Sequence, residues 1–181
     1  MELNQVFGSG FDELEVGAGF STYGRTITES DLTAFAGLTG DHHPLHTDAE
    51  WASRSLFGER IAHGMLLLSY SVGLAPIDPE RVAALRGFEK VVFKRPVRIG
   101  DTITLHGRVE EMKPLDDETG LVRILWKVKN QDGGLVVRAV AEIVWRRDTA
   151  DDRERGAATA ADEGQKGAAE PEQPSGEAVY L

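Results

Sequence analysis

The chain has 181 residues, of which 41% are apolar, and it carries a formal net charge of −10 at pH 7. The length and apolar content suit one domain with one core, and the acidic charge argues against nonspecific nucleic-acid binding, which needs clustered Lys and Arg. The chain contains no cysteine, which excludes disulfides, thiolate nucleophiles and cysteine-ligated metals. No secretory signal pattern is evident and the most apolar window, residues 61–75, is too short to span a bilayer, so we expect a cytoplasmic protein without a membrane partner.

The C-terminal residues differ in composition from the rest of the chain. Residues 148–181 are rich in Ala, Gly, Glu and Pro and contain no large apolar residue before Val179. Such a segment buries too little apolar surface to offset the entropy lost on ordering. We therefore predict a folded domain over residues 1–147 and a disordered acidic tail over residues 148–181.

The first half of the chain predicts one strand and two short helices. The strand is expected over Phe20–Thr26. Thr28, followed three residues later by Asp31, has the pattern of a capping box that begins a helix, and Gly40 is suited to end it. A second capping-box pattern predicts a short helix over residues 47–55, with Thr47 as its cap. Apolar residues give the first helix a buried stripe: Leu32, Phe35, Ala36 and Leu38.

The second half predicts one buried helix and a sheet. Residues 64–75 are apolar on nearly all sides, are of helical length and end at Pro76, so we expect this helix inside the protein. Asp- and Gly-rich turns separate the last three of the strand-like runs that follow, which predicts an antiparallel meander. The helix and the sheet must cover each other, which is an α+β architecture. The four predicted strands are Phe88–Val97, Thr102–Met112, Leu121–Asn130 and Leu135–Trp145.

The densest cluster of proton-transfer groups is the loop Gly-Asp-His-His-Pro-Leu-His at residues 40–46. Pro44 prevents a regular helix through this loop, because it lacks a backbone donor and restricts the residue before it. The resulting bend can bring Asp41 and His46 toward one point, where they can share a water as base and acid near neutral pH. For an arbitrary Asp and His, a turn residue and a residue entering a helix cap are the simpler interpretation.

A glycine begins the most apolar helix, in the segment Ile-Ala-His-Gly-Met at residues 61–65. The first turn of a helix leaves backbone amides unpaired, and a residue without a side chain lets a ligand approach them closely. Gly64 is therefore a candidate oxyanion donor. Glycine is also a common helix cap and can be required by packing alone.

Together these segments resemble the MaoC-like hydratase and dehydratase family, whose R-specific enoyl-CoA hydratases have a hot-dog fold. The family segment Asp-x-Asn-Pro-x-His is matched at residues 41–46, and its Ile-Ala-His-Gly-Met segment is matched at residues 61–65. The resemblance extends from about Phe20 to Trp145. It departs from the family pattern at His43, which stands where Asn is usual.

The resemblance implies hydration of trans-2-enoyl-CoA to (3R)-hydroxyacyl-CoA, or the reverse dehydration. Asp41 and His46 would be the catalytic pair, and the amide of Gly64 would bind the thioester oxygen. His43 and His63 are predicted to be hydrogen-bonding residues that support this pair. The expected partner is a thioester of CoA or of acyl carrier protein, with no cofactor, and members of the family usually pair two units, so a homodimer is expected.

Other functions stay open on the residues alone. A hot-dog acyl-CoA thioesterase would share the helix-terminal oxyanion site, and a noncatalytic acyl-thioester-binding subunit would share the fold. We predict no metal, because the histidines lack a spacing such as His-Glu-x-x-His and the implied chemistry needs none. Four basic residues either meet CoA phosphates or form an ordinary solvated sheet edge: Lys90, Lys94, Arg95 and Arg98.

Overall fold

The structure is a computed structural model, and it describes residues 7–148 of the chain. The predicted disordered tail lies outside the described residues, apart from its first position, Asp148. Within residues 7–148 no helix has the length and apolar character needed to cross a membrane.

Four α-helices and six strands build the described domain, after a short 3₁₀ helix at Phe11–Glu13. The helices are α1 (Glu29–Thr39), α2 (Pro44–Thr47), α3 (Ala49–Ser53) and α4 (Gly64–Leu74). The strands are β1 (Gly19–Ser21), β2 (Arg25–Thr26), β3 (Val82–Phe93), β4 (Thr102–Pro114), β5 (Thr119–Lys129) and β6 (Leu135–Arg146).

The strands form one antiparallel sheet in the order β1-β4-β5-β6-β3, and β2 pairs with β4 beyond β1. Strands β4, β5 and β6 follow each other in sequence and in space, so the predicted meander is confirmed. The predicted strand Phe20–Thr26 is divided into β1 and β2, which both pair with β4.

The core lies between α4 and one face of the sheet. On β5 the predicted alternation is confirmed, because Val122, Ile124 and Trp126 are at most 2% exposed. They belong to one apolar cluster with Leu66 and Leu67 of α4. The helix and the sheet therefore cover each other, and burying this apolar surface drives the two layers together.

The caps of α1 are those that the sequence predicts. Thr28 Oγ1 accepts a hydrogen bond from the Asp31 amide at 3.4 Å, and Asp31 Oδ2 accepts one from the Thr28 amide at 2.8 Å. Gly40 ends the helix with φ at 78°, a left-handed conformation that favours glycine. This stop places Asp41 immediately beyond the end of the helix.

Two helical details were predicted wrongly. The cap of α3 is Asp48, whose Oδ1 accepts from the Trp51 amide at 2.9 Å, and Thr47 belongs to α2 instead. Leu38 is 84% exposed, although Leu32 and Ala36 are buried. At 100° per residue, Leu38 lies well off the helix face that Leu32 and Ala36 share, so it does not reach the core.

The strand predicted at Phe88–Val97 is displaced, since β3 begins at Val82 and ends at Phe93. Val82 pairs with Trp145 of β6, but register irregularities interrupt this ladder. These irregularities disturb the alternation of side chains between the two sheet faces at the start of β3, so the sequence shows no alternating pattern there. Pro96 cannot donate to a ladder, and the chain leaves the sheet before it.

Candidate active site

The loop after α1 holds Asp41 at its first turn. The Asp41 amide donates to Thr39 Oγ1 at 3.2 Å, and Asp41 Oδ1 accepts from the His43 amide at 3.3 Å. The Asp41 side chain is exposed and borders a cavity. Both bonds are local, so the turn itself orients the carboxylate.

His43 begins α2, with Pro44 as the first helical residue. Its Nδ1 accepts a hydrogen bond from the Leu45 amide at 3.1 Å, and its ring packs edge-on against Trp51 with centroids 5.4 Å apart. An Asn side chain can accept the same bond at a helix N-terminus. The imidazole therefore supplies a cap at the position where the resembled family has Asn.

His46 is oriented by a main-chain carbonyl. Its Nδ1 lies 2.7 Å from the Ile61 carbonyl oxygen. Because a carbonyl can only accept, Nδ1 carries the proton and Nε2 keeps a lone pair. Burial lowers the pKa of His46 and the nearby His63 lowers it further, while the bond to Ile61 and the Asp41 charge act in the opposite direction. The net lowering favours the neutral imidazole that a proton acceptor needs.

His63 contacts both members of the predicted pair. It is 2% exposed, and its Nε2 donates to the main-chain carbonyl of Asp41 at 3.0 Å. Its ring stacks on the ring of His46 with centroids 3.8 Å apart. The other nitrogen, Nδ1, is buried and has no hydrogen-bond partner among residues 7–148. One buried imidazole thus fixes the position of the Asp41 backbone and of the His46 ring.

Gly64 follows His63 in the sequence and is the first residue of α4. His63 is the N-cap residue but makes no capping bond with its side chain, so the first amides of α4 are not covered by that ring. A Cβ at position 64 would lie 2.8 Å from a ring carbon of Phe93. An added methyl at this position would therefore have to displace the Phe93 ring, which is 47% exposed.

Asp41, His46, His63 and Gly64 border one cavity of about 470 Å³, whereas His43 does not line it. One side is the histidine wall, formed by Asp41, His46 and His63. Another part of the lining is the strand wall, residues 93–97, where the chain leaves β3. Gly64 and the apolar residues Phe57, Ile61, Ala62, Met65 and Leu67 complete the lining. A cavity of this size and character suits a small organic ligand.

The histidine wall also has the residue types of a metal site. Asp41, His46 and His63 each offer one ligand atom, and these atoms lie within 4.8 Å of one another. One nitrogen of each imidazole is already bonded to a main-chain carbonyl. The expectation that no metal is needed stays a prediction.

The sequence singled out Lys94 and Arg95 as candidate contacts for CoA phosphates but did not place the strand wall beside the candidate site. Phe93, Lys94 and Arg95 line the cavity, although the sequence placed them inside a continuous strand. Pro96 was the available signal, because proline is rare within paired strands. The carbonyl of Ile61 was also missed, since a main-chain acceptor leaves no mark in the side-chain pattern.

Comparison with known proteins identifies a family and relatives that agree with each other. A family model described as MaoC like domain matches residues 13–130. The chain is 36% identical over 104 residues to an (R)-specific enoyl-CoA hydratase from Rhodospirillum rubrum, which covers 58% of this chain and 72% of that protein. It is 44% identical over 96 residues to Protein MaoC from Klebsiella aerogenes, which covers 51% of this chain but only 28% of that protein's length.

A solved structure gives the fold. A Mycobacterium tuberculosis protein with a double hot-dog fold superimposes with a TM-score of 0.72 at 21% identity, covering 81% of this chain and 47% of that chain. The predicted α+β class and hot-dog fold are thereby confirmed.

Proposed function

Because this chain belongs to the MaoC-like domain family, we propose that it hydrates a trans-2-enoyl-CoA to the (3R)-hydroxyacyl-CoA or catalyses the reverse dehydration. The observation that carries the proposal is that Asp41, His46 and the first residue of α4 border one cavity. The relative from Rhodospirillum rubrum, an (R)-specific enoyl-CoA hydratase, supports the same reaction class.

In the proposed hydration, Asp41 and His46 hold one water between them. The water oxygen bonds to C3 of the enoyl group as the C2–C3 π electrons move toward the thioester carbonyl. The proton that the water loses passes through the pair to C2, so no other reactant is required. The lone pair on His46 Nε2 suits this role, since its other nitrogen is held by Ile61.

The oxyanion site follows from the same electron flow. Negative charge develops on the thioester oxygen in the transition state, and the amide of Gly64 stands at the positive end of α4. An amide fixed there stabilises the charge without reorganising, and one such donor contributes about 10²–10³-fold.

His63 and His43 support the pair rather than touch the substrate. His63 bonds to the Asp41 carbonyl and stacks on the His46 ring, and His43 donates its amide to the Asp41 carboxylate. We assign both as positioning residues. No cofactor takes part in the proposed reaction.

A homodimer fits the exposed face of α4. Met65 is 56% and Val72 is 44% exposed, and a spacing of seven residues places them on one face of the helix. An apolar helix face is stabilised when a second copy covers it. Sedimentation or scattering measurements that gave an active monomer would rule this assembly out.

The experiment that tests the function follows the conjugated absorbance of trans-2-butenoyl-CoA together with thiol release. Hydration removes the absorbance without releasing thiol, whereas the rival thioesterase releases CoA. We expect Asp41→Asn and His46→Gln each to lower kcat/KM by about 10²–10⁴-fold. His42→Gln is the matched control, because His42 is an exposed neighbour in the same loop.

Two results would reject the proposal. A fully active Asp41→Asn protein would remove the proposed site. Tight binding of the enoyl thioester by wild-type protein without turnover in either direction would identify the noncatalytic binding subunit instead.

A further inference from the structure

The basic residues near the cavity differ in whether a carboxylate neutralises them. Arg98 forms an ion pair with Glu59 at 2.6 Å, and Arg60 forms one with Glu29. Lys94 and Arg95 make no ion pair with any carboxylate in the part of the chain that the structure describes. Two cations on the strand wall therefore keep their charge available for an external anion.

Main-chain carbonyls hold the backbone of Lys94 and the guanidinium of Arg95. The Lys94 amide donates to the Val136 carbonyl at 2.7 Å, and Arg95 Nη1 donates to the Leu135 carbonyl at 3.1 Å. A guanidinium has five N–H donors, so most of those on Arg95 are unused by this bond. Both side chains are exposed while lining the cavity that Gly64 borders.

The acidic net charge of the chain makes Lys94 and Arg95 distinctive. The chain has a net charge of −10, so its general field repels anions. Two unneutralised cations at the edge of the candidate site reverse that field locally. A ligand that places an anionic group at this edge gains attraction from both cations.

We propose that Lys94 and Arg95 bind a phosphate of the acyl carrier, at the end of the pantetheine arm that leads out of the cavity. This inference rests on the proposed function, since it takes a pantetheine thioester as the substrate. Coenzyme A and acyl carrier protein both attach the arm through a phosphate, and that shared group is the ligand chemistry. Through Lys94 and Arg95, the protein recognises the carrier as well as the acyl group.

The test compares two thioesters of the same acyl group. Trans-2-butenoyl-CoA carries phosphates, and the N-acetylcysteamine thioester of trans-2-butenoic acid carries none. In the Lys94→Gln/Arg95→Gln protein we expect KM for the CoA thioester to rise about tenfold, as two exposed ion pairs would give. The ratio of kcat/KM between the two thioesters should fall by the same factor.

Arg98→Gln is the matched control, because Arg98 is already paired with Glu59 and does not line the cavity. It should leave the ratio between the two thioesters as in wild type. An equal change for both thioesters in the double variant, or no change for either, would overturn the phosphate site. Wild-type hydration of the cysteamine thioester supports the proposed function independently of this result.

A binding measurement keeps the inference testable if neither thioester is turned over. Titration calorimetry at low salt should show weaker binding of free coenzyme A and of 4′-phosphopantetheine to the double variant than to wild type. Weakening with both ligands assigns the contact to the phosphate of the pantetheine arm, and weakening with coenzyme A alone assigns it to the nucleotide phosphates. Unchanged affinity for both ligands would overturn the site.

Discussion

The two walls of the cavity are built in different ways. On the histidine wall, His46 and His63 are each tied to a main-chain carbonyl, and their rings stack on each other. On the strand wall, Phe93, Lys94 and Arg95 are exposed, and the contacts of the two cations are one backbone bond of Lys94 and one guanidinium bond of Arg95. Proton transfer depends on fixed distances and angles, whereas attraction of a charged carrier depends mostly on the charge itself. The contrast predicts that kcat depends on the first wall and KM on the second.

The strongest way to break this contrast is to loosen the histidine wall without touching Asp41 or His46. His63→Ala removes the ring that stacks on His46 and the donor to the Asp41 carbonyl. We expect kcat to fall about 10²-fold, because small displacements of reacting groups cost that much, while KM changes little. Steady-state kinetics on trans-2-butenoyl-CoA measure both constants.

The control for that change is His106→Gln, since His106 is a half-buried histidine on β4 that does not line the cavity. It should leave kcat unaltered. A His63→Ala protein with wild-type kcat and a wild-type melting curve would show that the stack has no role in positioning.

The pH dependence sharpens the contrast next. Burial holds the pKa of His46 below 6.5, its ordinary value, and the proposed reaction needs the neutral ring. Below its folded pKa, kcat/KM should therefore fall by about tenfold per pH unit. The groups that face this ring are His63 and His43, which lower its pKa, and Asp41, which raises it. His63→Gln should move the midpoint upward.

Folding stability should follow the same ionisation. Because the folded pKa of His46 is the lower one, the unfolded chain binds the proton first as the pH falls below 6.5. The contribution of His46 to the free energy of unfolding thus decreases as the pH falls from 6.5 to the folded pKa and then stays constant.

Phe35→Leu is the control for the effect of His63→Gln on the kinetic midpoint, since Phe35 packs on the His63 ring without carrying charge. A kinetic midpoint at or above 6.5 would contradict the assignment.

Packing at Gly64 should produce a smaller effect. A methyl at position 64 meets the ring of Phe93, so Gly64→Ala should lower the free energy of unfolding by about 1 kcal/mol. Adding Phe93→Ala removes the contact, and the two changes together should cost less than their sum. Gly37→Ala in α1 meets no atom within 4 Å and should instead stabilise by about 0.5–1 kcal/mol. Denaturant unfolding of wild type, Gly64→Ala, Phe93→Ala, their double variant and Gly37→Ala measures these effects, and strict additivity of the first two changes would contradict the contact.

The smallest effect is expected from metal removal. Asp41, His46 and His63 can present ligand atoms to one ion, but the proposed water chemistry uses none. Dialysis against a chelator should leave kcat unchanged. Activity lost on chelation and restored by zinc would replace the acid–base pair with a metal-bound water.

The loop that carries Asp41 and His46 could be predicted from the sequence because short-range patterns place it. The capping box at Thr28, the glycine at position 40 and the proline at position 44 fix the loop within a few residues of Asp41. Where two capping patterns overlap, as at Thr47 and Asp48, the sequence does not choose between them. The cap formed at Asp48 because the Thr47 hydroxyl bonds back to the His42 and His43 carbonyls.

The strand wall is marked in the local sequence only by Pro96, and the rest of its position depends on pairing with a distant strand. The two ends of β3, at Val82 and Phe93, are set only by its pairing with β6, and the register of that pairing is interrupted. Local sequence carries no record of such long-range interruptions. The role of Phe93 above Gly64 became evident only when both were placed in space.

The bond from His46 to the Ile61 carbonyl has a consequence for protein engineering. The acceptor is a main-chain atom, so replacing the Ile61 side chain leaves it in place, while that side chain lines the cavity. Under the proposed function, position 61 therefore separates two properties that active sites often combine in one residue: its backbone orients the His46 ring, and its side chain limits the room for the acyl group. Libraries that vary this position can reshape substrate preference while the proton-transfer geometry is retained.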